Sequence, residues 1–239
     1  KIEEAIITNE SDIRSVVDNY TASRYFFLIP KSHIWFYPKS DIKEKIESFP
    51  SIVKADVLVN DEGTLLIKLT ERKQDYLWCK SIEREDSKRS CFYMDKDGFV
   101  FASSPVFEGH VFLTFFGMIT DSTEMQNDSV DNDNNIVGKN FLAKDKMSAL
   151  IYFIDSLKKF ELIPTSVNAV SLREVRIILR SGSVLIISLD DDLDAVTKNI
   201  VTLLQAPEFI KASGGINALE YIDLRYGAKA FWKPKGNIK

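Results

Sequence analysis

Cys79 and Cys91 are the residues whose type and spacing most directly invite chemistry. They flank a charged polar stretch, residues 80–90, and end two apolar runs, Asp75-Tyr76-Leu77-Trp78 and Phe92-Tyr93-Met94. A hairpin made from those runs brings the two sulfurs side by side. A disulfide across such a loop stabilises by about 3 kcal/mol in the chain-entropy model, and it persists only in an oxidising compartment. The alternative is a pair of small buried thiols.

The other groups capable of chemistry are isolated. His33 and His110 lie far apart in aromatic or apolar surroundings, where a satisfied structural imidazole is expected. Asp131, Asp133 and Asn135 have the spacing that opens a calcium loop, but Ile136 stands where the turn glycine belongs and Leu142 where the bidentate Glu belongs. Asp190-Asp191-Asp192 invites a metal, yet acids before a helix are ordinarily explained by the helix dipole. No nucleophile elbow, phosphate loop, dinucleotide fingerprint or zinc-ligand spacing occurs. The expectation is a chain without catalytic residues, metal or cofactor.

What the sequence offers instead is a surface for another chain. Its last apolar run, Phe231-Trp232, closes it as an aromatic strand, and a terminal strand presents an edge that recruits a strand from a partner. Trp and Tyr are the side chains that most often dominate interface energy. The plainer alternative is a closing strand whose aromatics only pack the core.

The elements that must position these residues follow from periodicity. Residues 2–8 suit a short strand. Ser11 or Asp12 can cap a helix with Ile13, Val16, Val17 and Tyr20 on one face. Residues 26–30 read as extended, since Pro30 disfavours helix before it. A second helix follows Ser40, with Ile42, Ile46 and Phe49 inward and Pro50 as its stop. Val53, Ala55, Val57 and Val59, then Leu65, Ile67 and Leu69, alternate as two strands joined by Asn60-Asp61-Glu62-Gly63. The order is strand, helix, helix, strand, strand.

Beyond residue 72 the chain is strand-rich: 93–95, 99–102, 110–116, 167–172, 175–180, 184–189, 218–223 and 226–232. Helices are expected over 144–160 and after Asp192, the latter with Leu193, Val196, Ile200 and Leu203 inward. Residues 121–135, rich in Asp and Asn without a base, read as a solvated loop or disordered insertion. The aromatic stretch Tyr25, Phe26, Phe27, Ile34, Trp35, Phe36 and Tyr37 is expected to fill the first domain's core and rim.

Length and charge agree with this division. At 239 residues the chain suits one large or two modest domains. A net charge of −4 with no long basic run argues against nucleic acid. No apolar run is long enough to span a bilayer. The chain opens at Lys1 without a charged-then-apolar leader, and an N-terminal piece is expected to have been removed.

Three short motifs, in order along most of the chain, carry a family resemblance. Pro50, Val53, Ala55 and Val57 lead into a hairpin ending in Glu71-Arg72, with Leu77-Trp78 soon after. Asp95-Lys96-Asp97-Gly98-Phe99-Val100-Phe101 follows, and Tyr221-Ile222-Asp223-Leu224-Arg225-Tyr226 comes near the end. Together they resemble the junction between the POTRA domain and the β-domain, the Asp-x-x-Gly-x-Val-Phe hairpin and the Ile-Asp-Leu-Arg-Tyr strand of the bacterial division proteins FtsQ/DivIB.

The resemblance implies an α+β fold: a β-α-α-β-β POTRA domain over residues 1–72, a β-rich domain with an antiparallel or mixed sheet and flanking helices over 73–233, and a tail over 234–239. It implies a divisome scaffold that binds FtsB-like and FtsL-like partners through its last strand and helps to recruit or regulate septal wall synthesis. Arg225, Tyr226, Ala228, Ala230, Phe231 and Trp232 would form the contact, although the stretch before Trp232 is shorter than in the family's pattern. Arg173 or Arg176 would meet a partner acid from a neighbouring strand. The family further implies an N-terminal membrane helix, an extracytoplasmic location at the septum, and further division proteins at the POTRA domain. The rival reading is a POTRA-type chaperone or secretion module for unfolded outer-membrane chains.

Overall fold

The computed structural model describes residues 2–22, 38–61, 63–80, 90–107, 109–119 and 136–236, together with the backbone of 24–25 and 29–30. The protein is mixed α+β. It divides into two compact units, Lys1–Lys73 and Gln74–Lys239.

In the first unit β1 (Ile2–Glu3), α1 (Glu10–Thr21), a minimal pair β2 (Arg24–Tyr25) and β3 (Ile29–Pro30), α2 (Lys39–Glu47), β4 (Ile52–Val59) and β5 (Leu65–Glu71) follow in order. The sheet runs β1-β5-β4, with β1 parallel and β4 antiparallel to the central β5. Ile13 and Val16 of α1 and Ile42 and Ile46 of α2 bury against Ala55, Val57, Ile67 and Leu69. This is the helical stripe meeting the strand alternation read from the sequence, except that Val53 turns to solvent, because the register shifts between Ile52 and Lys54.

The helix cap falls earlier than Ser11 or Asp12. Asn9 is extended, and its side-chain oxygen accepts the Ser11 N–H at 3.1 Å. The first strand is also shorter than residues 2–8, because the backbone of 6–8 turns to bond the Glu71 carboxylate. The N–H groups of Ile6, Ile7 and Thr8 reach it at 2.8, 2.9 and 2.7 Å. The side chains of the aromatic stretch from Tyr25 to Tyr37, with His33, lie outside the described residues.

Among the described residues the second unit is one sheet of nine strands with helices against it. Its elements are β6 (Tyr76–Cys79), β7 (Cys91–Met94), β8 (Val100–Ser104), β9 (Thr114–Gly117), α3 (Lys144–Lys158), β10 (Pro164–Ser171), β11 (Glu174–Leu179), β12 (Val184–Ile187), α4 (Leu193–Gln205), α5 (Pro207–Ser213), β13 (Leu219–Tyr226) and β14 (Lys229–Pro234). Strand order is β14-β13-β12-β11-β10-β9-β6-β7-β8, in mixed parallel and antiparallel pairing.

Register makes the core a transverse row. Phe92, Trp78, Phe115, Val167, Ile177, Leu185, Ile222 and Trp232 lie opposite one another from β7 to β14. All belong to or pack on the cluster that also buries Met147, Leu150, Phe153, Ile154 and Leu157 of α3. Gly117 permits the close parallel approach of β9 to β10, since a Cβ there would sit 2.2 Å from the Ala169 carbonyl oxygen at a φ of +94°. The turn before β8 is closed by Asp95, whose Oδ1 accepts the N–H groups of Asp97 and Phe99, both at 3.0 Å.

The opposite face of the sheet is treated unequally. Over β6–β9, Phe107 and Phe112 pack on Leu77, Cys79, Cys91 and Phe116. Cys79 and Cys91 face each other across the β6–β7 ladder and are joined as a disulfide. Two expectations shift at the C-terminus. Tyr226 ends β13 rather than opening the last strand, which begins at Lys229 after the turn at Gly227 and Ala228. The tail expected from 234 starts later, because Pro234 belongs to β14 and the Lys235 N–H bonds Ala218 O at 2.9 Å. Helix α5 has no counterpart in the periodicity, being short and opened by Pro207.

Candidate functional site

β14 is an edge strand: β13 lies on one side of it, and among the described residues no strand pairs with its other side. The far edge, β8, is partly covered. Val100 donates its N–H to Lys139 O at 2.9 Å and accepts from Gly138 N–H at 2.8 Å. Alternation carried along β14 from Lys235, whose N–H turns toward β13, directs the N–H groups of Ala230 and Trp232 outward. Those are the groups that a further strand would bond.

The two faces of β14 differ. Ala230 and Trp232 pack on the core, and the Trp232 ring meets Phe209 of α5 edge-on with centroids 6.0 Å apart. Lys229, Phe231 and Lys233 alternate onto the other face. There Phe231, 54% exposed, meets the 55% exposed Tyr226 edge-on at 5.1 Å. Phe231 and Tyr226 therefore form the displayed aromatic pair, and Trp232 is chiefly a packing residue. Ala228 sits in the exposed turn rather than on the strand.

Beside this pair the outer face of β10–β13 holds a shallow groove of about 560 Å³, floored by Ile178, Val184, Ile186 and Tyr221. Register explains its polar rim, since Asn168, Arg176, Ile186, Asp223 and Phe231 form one row across five strands. Arg225 binds Asp223 through Nε–Oδ1 at 2.9 Å and Nη2–Oδ2 at 2.6 Å, and reaches Glu174 Oε2 with Nη1 at 3.2 Å. Arg176 donates its Nε to Glu174 Oε1 at 2.8 Å. Burial pushes the Asp223 carboxyl up, but the hydrogen bonds and charge of Arg225 outweigh it and hold the carboxyl below the usual range.

The structure thus brings Arg225, Tyr226, Phe231 and Arg176 onto one surface. Arg173, at the β10–β11 turn, meets this surface only through its carbonyl oxygen, which accepts from Arg225 Nη1 at 3.5 Å; its side chain is 88% exposed and lies 3.5 Å from Asp190. Asp223 and Glu174, which orient both arginines, were missed by sequence reasoning. Their signal was the spacing Asp223-x-Arg225 and Glu174-x-Arg176, which on a strand sets opposite charges on one face.

The remaining candidates for chemistry find structural settings. Asp192 caps α4, accepting the N–H groups of Asp194 at 2.9 Å and Ala195 at 3.4 Å. His110 is exposed on the loop between β8 and β9 rather than set in apolar surroundings, because that loop turns its tip to solvent and its phenylalanines inward. The calcium-like spacing at Asp131, Asp133 and Asn135 lies outside the described residues. Among the described residues no cluster of three or more His, Cys, Asp or Glu is placed to hold a metal ion. No helix among them is long and apolar enough to cross a membrane.

No protein-family model matches this chain, and no curated protein matches its sequence.

Proposed function

We propose that the protein is a non-catalytic scaffold of the FtsQ/DivIB type, which binds a strand from FtsB-like and FtsL-like division proteins at β14 and helps to recruit or regulate septal wall synthesis. In this reading the first unit is the POTRA domain, the second unit through β14 is the β-domain, and a helix ahead of this sequence anchors both outside the membrane at the division septum. The observation that carries it is the C-terminal edge strand, open on one side among the described residues and displaying Phe231 beside Tyr226. Set aside the two-residue pair β2–β3 between its helices, and the first unit follows the order β-α-α-β-β with a β1-β5-β4 sheet, which supports the POTRA reading.

The rival reading, a chaperone or secretion module working through the POTRA edge, draws on β4, where Val53 and Leu58 are exposed. That edge is already partly occupied. The Ala55 N–H is bonded by the Glu47 carboxylate of α2 at 2.9 Å, leaving fewer groups for a guest strand.

The test is capture from solubilised membranes with residues 1–239 as bait. Recovery of small coiled-coil membrane proteins, lost with Ala230→Pro, is the expected result. Recovery of unfolded barrel chains, unaffected by Ala230→Pro, would favour the rival.

A further inference from the structure

We propose that β14 is a charge-selective edge, which accepts a partner strand carrying acid, apolar and acid residues at i, i+2 and i+4 and rejects a second copy of this chain. This rests on the reading of β14 as a partner-binding edge and adds the chemistry of the partner.

Lys229, Phe231 and Lys233 lie along the exposed face of β14. Lys229 is exposed and has no ion pair among the described residues. Lys233 reaches Glu220 Oε2 at 2.6 Å while its side chain stays 55% exposed, so its charge remains available to a neighbour. A strand that hydrogen-bonds to β14 sets one side chain opposite each of these three, at the separation where opposite charges attract and like charges repel. Because the lysines flank Phe231 symmetrically, the complementary pattern is the same for either strand direction. The core-facing neighbours Ala230 and Trp232 call for apolar residues between the acids.

A second copy fails the same criterion. The antiparallel register centred on Phe231, which keeps both cores on one side, sets Phe231 against Phe231 and Lys229 against Lys233, twice over. Sliding by two residues sets Lys229 against Phe231 or Lys235, and in neither register does an acid meet it. Charges of this kind on an edge are a recognised defence against edge-to-edge pairing.

The strand that carries them is held at both ends. Asn199 of α4 donates Nδ2 to Gly227 O at 3.0 Å, and Lys235 Nζ bonds Ser181 O at 2.6 Å and Asn217 O at 2.9 Å. An edge ordered in advance loses less conformational freedom when a partner strand docks.

The test titrates residues 1–239 with two labelled, capped peptides, Thr-Glu-Val-Leu-Val-Glu-Thr and Thr-Lys-Val-Leu-Val-Lys-Thr, by fluorescence anisotropy. The acidic peptide is expected to bind about tenfold tighter or better at low salt, with the gap narrowing as salt screens the pairs. The variant K229E/K233E is expected to reverse the order, and Ala230→Pro to lose both. Equal binding of the two peptides, lost with Ala230→Pro, overturns the selectivity while leaving the edge reading intact. Binding of neither peptide to the folded chain overturns the edge reading and the selectivity with it. In sedimentation velocity the wild-type chain is expected to be monomeric; a dimer abolished by Ala230→Pro would overturn the rejection of a second copy.

Discussion

Arg225 grips Asp223 through two roughly parallel hydrogen bonds, Nε–Oδ1 at 2.9 Å and Nη2–Oδ2 at 2.6 Å, along one strand rather than across the sheet. The guanidinium is thereby held in a fixed orientation, with Glu174 on its other side. Asp223→Asn breaks one charge-assisted bond at a nearly buried site. The expected loss is about 1–3 kcal/mol of stability, read as a lower urea midpoint.

Trp232 and Phe231 should separate stability from binding. Trp232 packs edge-on to Phe209, so Trp232→Ala is expected to cost about 1–3 kcal/mol in folding because it leaves a void beside α5. Phe231→Ala and Tyr226→Ala, on the exposed face, should leave the urea midpoint nearly unchanged. If they are hot spots, each weakens capture of a partner strand by about 2 kcal/mol. A partner affinity insensitive to both, in folded protein, would assign the binding surface elsewhere.

The disulfide closes a loop with a sequence separation of 12. Reduction, or Cys79→Ser with Cys91→Ser, should lower the stability of the second unit by about 3 kcal/mol. Comparing urea unfolding with and without reductant checks this; identical curves would show that the bridge does not constrain the unfolded chain.

Acid should weaken both units, through partly buried carboxylates at Glu71 in the first and Asp223 in the second. Partial burial pushes Glu71 up, but the N–H groups of Thr8, Ile7 and Ile6 outweigh it and hold the carboxyl below the usual range, and Asp223 is also lowered. In both cases the folded value lies below the unfolded one. Between the two values the unfolded chain binds more protons, so stability rises with pH. The contribution is present above about pH 4 to 4.5 and is lost as pH falls through each folded value. Glu71→Gln should flatten the acid limb of the first unit's unfolding curve; an unchanged limb would show that these N–H bonds carry no linkage.

Much of this protein was legible in its sequence because the signals were local. The alternation of Ala55, Val57, Ile67 and Leu69 set a strand face, although Val53 leaves it at the register shift between Ile52 and Lys54; the spacing of Met147, Leu150, Ile154 and Leu157 set a helical stripe, and two cysteines at the facing ends of apolar runs implied a bridge. What required the tertiary structure was every choice between faces and neighbours. Local sequence cannot decide that Phe231 turns outward while Trp232 packs on Phe209, because that depends on the register of β14 against β13 and on α5, whose seven residues are too few for periodicity. The pairing of Arg225 with Glu174 is set in the same way, since it joins residues 51 positions apart through the order in which β11, β12 and β13 assemble.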